Sequence, residues 1–524
     1  MSKANAEIPK RCAVLALGGL SLTAGLVFAL GRVASFGPNR GDVSVWISVH
    51  EWIKRDVPLY VGVWDHKDWG FFWFTQPFYE IWATTGLYIV GFLSAVLVGI
   101  GAYLIVRKLT PPLSALLLGV LAMTISIAAF SFLPTYTEIF AVGLASLAIG
   151  ILVHERFLGG FIFATSIAVK VSGVVVLVTV LTFELVAEWR RLRGGSLKSM
   201  IRPAALTVAG VGVGLLFIVG LASASGSLYG WLEIITYNRE YAQFRGSLPA
   251  GSWVEKPIIL LQTYLQDFVN LPKNQFSFLS ALALSSGVLL LLWRPRKPGP
   301  NDLSTSDQQR LIVVIASGYA FGALAVTLSQ RPGWFHWQYA VAPLCLLMVA
   351  TWAAAQRSGA FSSLTKLTVG IILLTPPLVV ALYFNRSLVS AVTPDALNQW
   401  KTLNSGAVLT AELAGLQPNT SLAIFATNSV RADYAAMPPN VELKCRFIYQ
   451  FDHLLPRYRD EILSCQGKDP DVVIVQNSEW ADDVTRSSIL SWLADRYTPC
   501  NGVRTIDYQL WGKEESVCPT MTKF

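Results

Sequence analysis

The chain has 524 residues, 53% of them hydrophobic and only 14% charged, with a formal net charge of +8. That composition excludes an ordinary soluble globular protein and places the chain in the membrane class. The positive balance does not point to nucleic acid, because the basic residues gather in short segments between apolar runs rather than along one aromatic-interleaved surface.

A bilayer core of about 30 Å needs about 20 apolar residues per helical span. Reading hydropathy against the basic loops puts spans at 13–34, 82–105, 113–132, 138–153, 157–170, 172–188, 204–223, 277–293, 311–329, 339–355 and 367–384. The first follows a basic start but is longer than a signal-peptide core, so it reads as an uncleaved span. Lys10 and Arg11, Arg107 and Lys108, Arg190 to Arg202, and Arg294 to Lys297 mark the cytoplasmic side by the positive-inside rule. Eleven spans then leave the C-terminus outside. The pair flanking Lys170 is short and reads either as two spans or as one broken or re-entrant segment. Collapse into one span would put Arg294 and Arg107 on opposite sides, which the rule disfavours.

Two outward loops are long. The first, Ser35 to Glu80, holds five of the 17 tryptophans. In it Val45, Trp46, Val49, Trp52 and Ile53 follow helical spacing, which predicts a helix lying in the headgroup interface. The second, Ser223 to Asn274, mixes aromatic residues with Arg239, Glu240, Arg245 and Lys256 and is expected to act as a lid. After the last span the composition changes. Residues 385–524 read as a soluble, extracytoplasmic α/β domain beside a membrane domain at 1–384, with strands at Leu422 to Ala426 and Val472 to Gln476 and a helix at Asp482 to Tyr497. Its four cysteines suggest two disulfides, most simply Cys445 with Cys465 and Cys500 with Cys518, among three possible pairings. A zinc site competes, but the spacings are wide for Cys-x-x-Cys knuckles. No phosphate-binding Gly-x-x-x-x-Gly-Lys motif or His-Glu-x-x-His appears in the right context, which disfavours an ATP-driven pump.

The first loop runs Gly41-Asp42-Val43, Pro58-Leu59-Tyr60, then Trp64-Asp65-His66-Lys67-Asp68-Trp69. Carboxylates and a lysine among aromatic rings at a membrane surface are poised for strong charge interactions. The order of these features resembles the first outward loop of the GT-C glycosyltransferases, in the branch of the aminoarabinose transferases and protein O-mannosyltransferases. That branch carries an acid after span one, a jaw helix, a Pro-Tyr pair and an acidic-x-Lys segment, matched here by Asp42, Val45 to Ile53, Pro58-Leu59-Tyr60 and Asp65-His66-Lys67. Thr137-Glu138, Lys170 and His336-Trp337-Gln338-Tyr339 extend the match, which covers about 13–384. The chain departs from it at Lys67-Asp68-Trp69-Gly70, where the branch usually has Lys-Pro-Pro or Lys-Gly-Pro, and at Val43, where it often has a second acid.

The resemblance implies a polytopic α-helical membrane enzyme that moves a sugar from a polyprenyl-phosphate donor to a lipid, glycan or protein acceptor outside the cytoplasm, with inversion. Such a transfer needs a base for the acceptor hydroxyl and an anion clamp for the departing phosphate. Asp42 is the expected base. Lys67, Lys170 and His336 are the expected phosphate contacts, and Asp65, Asp68 and Glu138 are expected to orient them or to touch the acceptor. No cofactor or metal site is expected, a divalent cation being left open. The bacterial inner membrane is the expected location. Structural roles compete at each position: Asp42 as a helix cap, Lys67 in pairing with Asp65 or Asp68, Lys170 as a snorkelling side chain, His336 as an interface anchor. A transporter or lipid flippase of envelope precursors is the main competing class, since Glu138 and Lys170 are charges at span edges.

Overall fold

The computed structural model describes residues 42–130, 137–191, 197–244, 282–289, 303–329, 336, 338–357, 410–426, 437–449, 454–476, 483–504 and 508–519. The expected spans at 13–34 and 367–384, most of 277–293, the domain boundary at 384/385 and the loop 245–274 lie outside the described residues.

Within them the chain forms α1 (Asp42–Lys54), α2 (Trp69–Trp82), α3 (Thr84–Arg107), α4 (Pro112–Phe130), α5 (Thr137–Leu152), α6 (Arg156–Val169), α7 (Gly173–Arg191), α8 (Leu197–Ala224) and α9 (Leu228–Phe244). A short helix α10 at 282–289 is followed by α11 (Leu303–Ser329) and α12 (Gln338–Arg357). Stretches of α3, α8, α11 and α12 are long and apolar enough to cross a bilayer, at Thr85–Arg107, Ile201–Ala224, Asp307–Thr327 and Gln338–Arg357. α4, α5 and α6 contain shorter apolar stretches. α8 leaves Val208, Leu216 and Phe217 exposed, an apolar face suited to lipid.

The ambiguous pair around Lys170 is two helices. α6 stops at Val169, Lys170 has extended backbone (φ −153°, ψ 108°), and α7 begins at Gly173. α6 packs along α5 and α8, whereas α7 packs along α11. Small residues let the bundle close: a Cβ on Gly101 would lie 2.2 Å from the Ser146 carbonyl, and one on Gly143 2.8 Å from Ser94 Cα, so α3 and α5 cross in backbone contact.

The tail carries α13 (Thr410–Ala414), β1 (Ser421–Phe425), β2 (Glu442–Leu443), α14 (Leu455–Ser464), β3 (Val472–Gln476), α15 (Asp483–Arg496), β4 (Thr498–Arg504) and β5 (Tyr508–Gly512). The strands join in the order β2-β1-β3-β5-β4; β1 is parallel to β2 and β3, and β5 is antiparallel to β3 and β4. β1 and β3 are buried along their whole length, as adjacent parallel strands covered on both faces should be. Cys445 is bonded to Cys465 and Cys500 to Cys518. The first ties the segment after β2 to the end of α14, and the second ties the start of β4 to the turn beyond β5.

Candidate active site

α1 is a helix as its spacing predicts, but it does not lie open on the interface. Every residue from Val45 to Trp52 is buried, His50 and Glu51 included. The reason is α2, which covers it. His50 Nδ1 donates to Gln76 Oε1 at 2.6 Å, its Nε2 faces Thr75 Oγ1 at 3.0 Å, and its ring stacks on Tyr79 at 5.1 Å. Burial lowers the His50 pKa to about 4, so the ring is neutral. Tyr79 donates its hydroxyl to Glu51 at 3.2 Å, and Arg55 reaches the carbonyls of Met437 and Pro438 in the tail. Asp42 is the first residue of α1; its side chain lies outside the described residues.

Between α1 and α2 the chain turns twice, with positive φ at Asp56 (62°) and Tyr60 (69°). Tyr60 donates its hydroxyl to the Lys67 carbonyl at 2.7 Å, and Asp65 Oδ1 accepts the Lys67 amide at 2.7 Å, an Asx-type turn. The Lys67 ammonium lies over the Trp46 ring, 5.6 Å from its centroid. Asp68 is buried. Its Oδ2 accepts the Val171 amide at 3.1 Å and its Oδ1 the Trp231 indole at 3.3 Å. Burial raises its pKa to about 6, against the pull of those two donors and of Lys170 and Lys67.

The centre of the cluster is Glu138, in the first turn of α5, where the helix dipole favours a carboxylate. Its Oε1 accepts from Lys170 Nζ at 2.8 Å and from His336 Nδ1 at 3.0 Å, and its Oε2 from the Thr137 hydroxyl at 3.0 Å. Lys170 stands just past the C-terminus of α6, the end that favours a cation. Burial lowers the His336 pKa, opposed by Glu138. Lys67 is within electrostatic reach of Asp68, Glu138 and His336.

Lys67, Asp68, Glu138, Lys170 and His336 therefore form one cluster built from the loop between α1 and α2 and the ends of three helices. Asp65 points elsewhere: Oδ2 accepts the Tyr449 hydroxyl of the tail at 3.1 Å. Of the residues named for the expected lid, Arg245 and Lys256 lie outside the described residues. Trp231 and Asn238 of α9 reach the first loop at Asp68 and the His66 carbonyl, and Glu240 pairs with Arg457 of the tail. Sequence reading missed these contacts along with Arg446 and Tyr449, whose local surroundings carry no motif. Among the described residues no three His, Cys, Asp or Glu side chains converge as a metal site requires. A largely apolar cavity of about 600 Å³ is bounded by Ile53, Leu59, Trp69, Phe72, Trp73 and Phe78.

The chain superposes on ArnT from Cupriavidus metallidurans bound to undecaprenyl phosphate, with a TM-score of 0.58 over 96% of this chain and 98% of that one, at 13% identity. The apo state of that protein gives 0.51 over 99% and 100%, at 12% identity. This chain has a GT-C fold. An Archaeoglobus fulgidus oligosaccharyltransferase in its apo form scores 0.44 over 95% of this chain and 75% of that one, at 11% identity. No family model matches the sequence, and no curated protein does. The GT-C fold is a multi-pass membrane architecture, in agreement with the apolar helices.

Proposed function

We propose that the chain is a membrane glycosyltransferase that takes a sugar from a polyprenyl-phosphate carrier and transfers it to a hydroxyl on a lipid, glycan or protein acceptor, on the outer side of a bacterial inner membrane. The observation that carries this reading is the meeting of Lys67, Lys170 and His336 around buried Glu138, within a GT-C fold. A phosphate approaching that cluster meets the Lys67 ammonium first, because Lys170 and His336 are engaged by Glu138. Lys67 then stabilises the charge that grows on the departing phosphate, and Lys170 and His336 add to the field from fixed positions. Asp42, at the start of α1, takes the proton of the acceptor hydroxyl, a contribution of about 10² to 10⁴ in rate. Asp68 and Glu138 hold the cations in place. The ArnT structure was solved with undecaprenyl phosphate, which supports a polyprenyl phosphate as the carrier here. The cavity beside Trp69 has the size and apolar lining of a ligand site.

The test is transfer from polyprenyl-phosphate sugars by the purified full-length protein in nanodiscs, followed by mass spectrometry, with the lipids that copurify identified in parallel. Transfer by the wild type and its loss in Asp42→Asn, at normal protein levels, is the expected result. Full transfer by Asp42→Asn refutes the base. Movement of an intact lipid precursor across the bilayer without transfer favours a flippase instead.

A further inference from the structure

The peptide group on either side of Lys67 is held by a side chain that the tail holds in turn. The Lys67 amide donates to Asp65 Oδ1, and the other oxygen of that carboxylate accepts the Tyr449 hydroxyl at 3.1 Å. The Lys67 carbonyl accepts from Tyr60, whose own carbonyl accepts from Arg446 Nη1 at 2.9 Å. Arg446 is fixed by two carboxylates, Glu233 of α9 at 3.2 Å from both of its terminal nitrogens and Glu461 of α14 at 2.6 Å, and its carbonyl accepts the Trp64 amide at 2.7 Å. Trp64 is packed among Tyr237 of α9 and Phe447 and Tyr458 of the tail, with ring centroids 5.2 to 5.4 Å away. Asp65, Trp64 and Tyr449 are all essentially inaccessible to solvent. A buried carboxylate linking two strongly directional donors is a stiff connector, because breaking either bond leaves an oxygen poorly satisfied in a low-dielectric site.

We propose that Tyr449 and Arg446 are positioning residues for Lys67: the docked tail completes the phosphate-binding side of the site by fixing the backbone from which the Lys67 ammonium is aimed. The tail is then a working part of the membrane site rather than a separate appendage. This rests on the reading of Lys67 as a phosphate contact. It predicts that donor affinity is sensitive to tail side chains that never touch the donor.

The experiment uses the full chain in nanodiscs, as wild type, Tyr449→Phe and Arg446→Lys, with two readouts. Tyr449→Phe keeps the ring beside Trp64 and removes only the hydroxyl. Amide deuterium exchange over 61–69 reads the backbone itself and needs no functional assumption. Tyr449→Phe should speed exchange of the Lys67 amide at least fivefold while α3 and β3 keep wild-type rates. Binding of undecaprenyl phosphate is the second readout, and its Kd should rise about tenfold in both variants. Unchanged exchange at Lys67, or faster exchange throughout the protein, overturns the positioning role. A wild type that does not bind undecaprenyl phosphate overturns the functional reading instead, and the exchange measurement still decides the positioning.

Discussion

Replacing Glu138 by Gln keeps the shape of the side chain and removes its charge. Lys170 Nζ lies 2.8 Å from Glu138 Oε1. At an effective dielectric of about 20 that separation corresponds to an attraction of about 6 kcal/mol, much of which offsets the cost of taking both charges out of water. Glu138 is 3% exposed and Lys170 15%, so the lysine left behind recovers little hydration. Glu138→Gln should therefore destabilise the protein by about 3 to 5 kcal/mol, the range for breaking a buried pair from one side. His336 Nδ1, 3.0 Å from the same oxygen, keeps an acceptor in the amide, so the loss comes mainly from the lysine. Replacing both partners removes the stranded charge. Glu138→Gln with Lys170→Met should regain most of the lost stability, although one phosphate contact is gone. Thermal unfolding in nanodiscs gives the order: wild type, double variant, single variant. A single variant within about 1 kcal/mol of wild type, a loss expected of an exposed pair, would refute the reasoning. So would a double variant no more stable than the single one.

Asp68, with its pKa raised to about 6, gains a negative charge beside Lys170 and Lys67 as the pH rises from 5 to 7, so undecaprenyl-phosphate-sugar binding should weaken over that interval. Asp68→Asn should abolish this dependence in a titration of Kd against pH. His50 titrates near 6.5 when unfolded and at about 4 in the fold, so its stabilising effect is complete above 6.5 and falls away as the pH drops toward 4. The total is about 3 kcal/mol, and deuterium exchange of α1 should accelerate over that range in the wild type but much less in His50→Gln. Loss of the Cys445–Cys465 bridge, which spans a sequence separation of 20, should cost about 3 kcal/mol by chain entropy. Because Cys445 adjoins Arg446 and Cys465 ends the helix that carries Glu461, Cys445→Ser with Cys465→Ser should also raise the Kd for undecaprenyl phosphate; an unchanged Kd would separate the bridge from the site.

Among the described residues the apolar helices were legible because apolar length is a strong signal in lipid, and α3 at Thr84–Arg107 lies within two residues of its expected bounds. Glu138, Lys170 and His336 were legible as site candidates for the complementary reason: polar groups at span ends need partners, and here the partner of each is another of them. α2 was not foreseen. Its sequence, rich in aromatic residues of modest helix propensity and interrupted by Pro77, reads as a loop, and its helix exists because α1 and α3 bury its sides. The tail strands β1 and β3 were visible as short apolar runs, whereas the two-residue β2 and the irregular β4 carry no such run. Tyr449 and Arg446 were beyond reach for a different reason. Tyr449 meets Asp65 across 384 positions, and nothing local distinguishes it from any other buried tyrosine.

The shortness of the two helices whose ends carry Glu138 and Lys170 is itself a structural cause of the site. α5 has 16 residues and α6 has 14. At 1.5 Å per residue they are about 24 and 21 Å long, short of a hydrocarbon core of about 30 Å. Arg156 at the start of α6 pairs with Glu184 of α7 at 2.6 Å, which anchors the end of that helix away from Lys170. Helices of that length, with one end at one face of a hydrocarbon core, stop several ångströms short of the other face. Glu138 and Lys170 sit at adjoining ends of these two helices, where the pair is largely shielded from solvent, 3% and 15% exposed. Asp68 and Trp231 close over it through the Val171 amide and the indole bond. A longer helix in either place would carry its charged residue into water, where the attraction between the two would be largely screened. Short spans, an extended Lys170 and a roof from the first loop are thus one device for keeping the charges of the site close and dry.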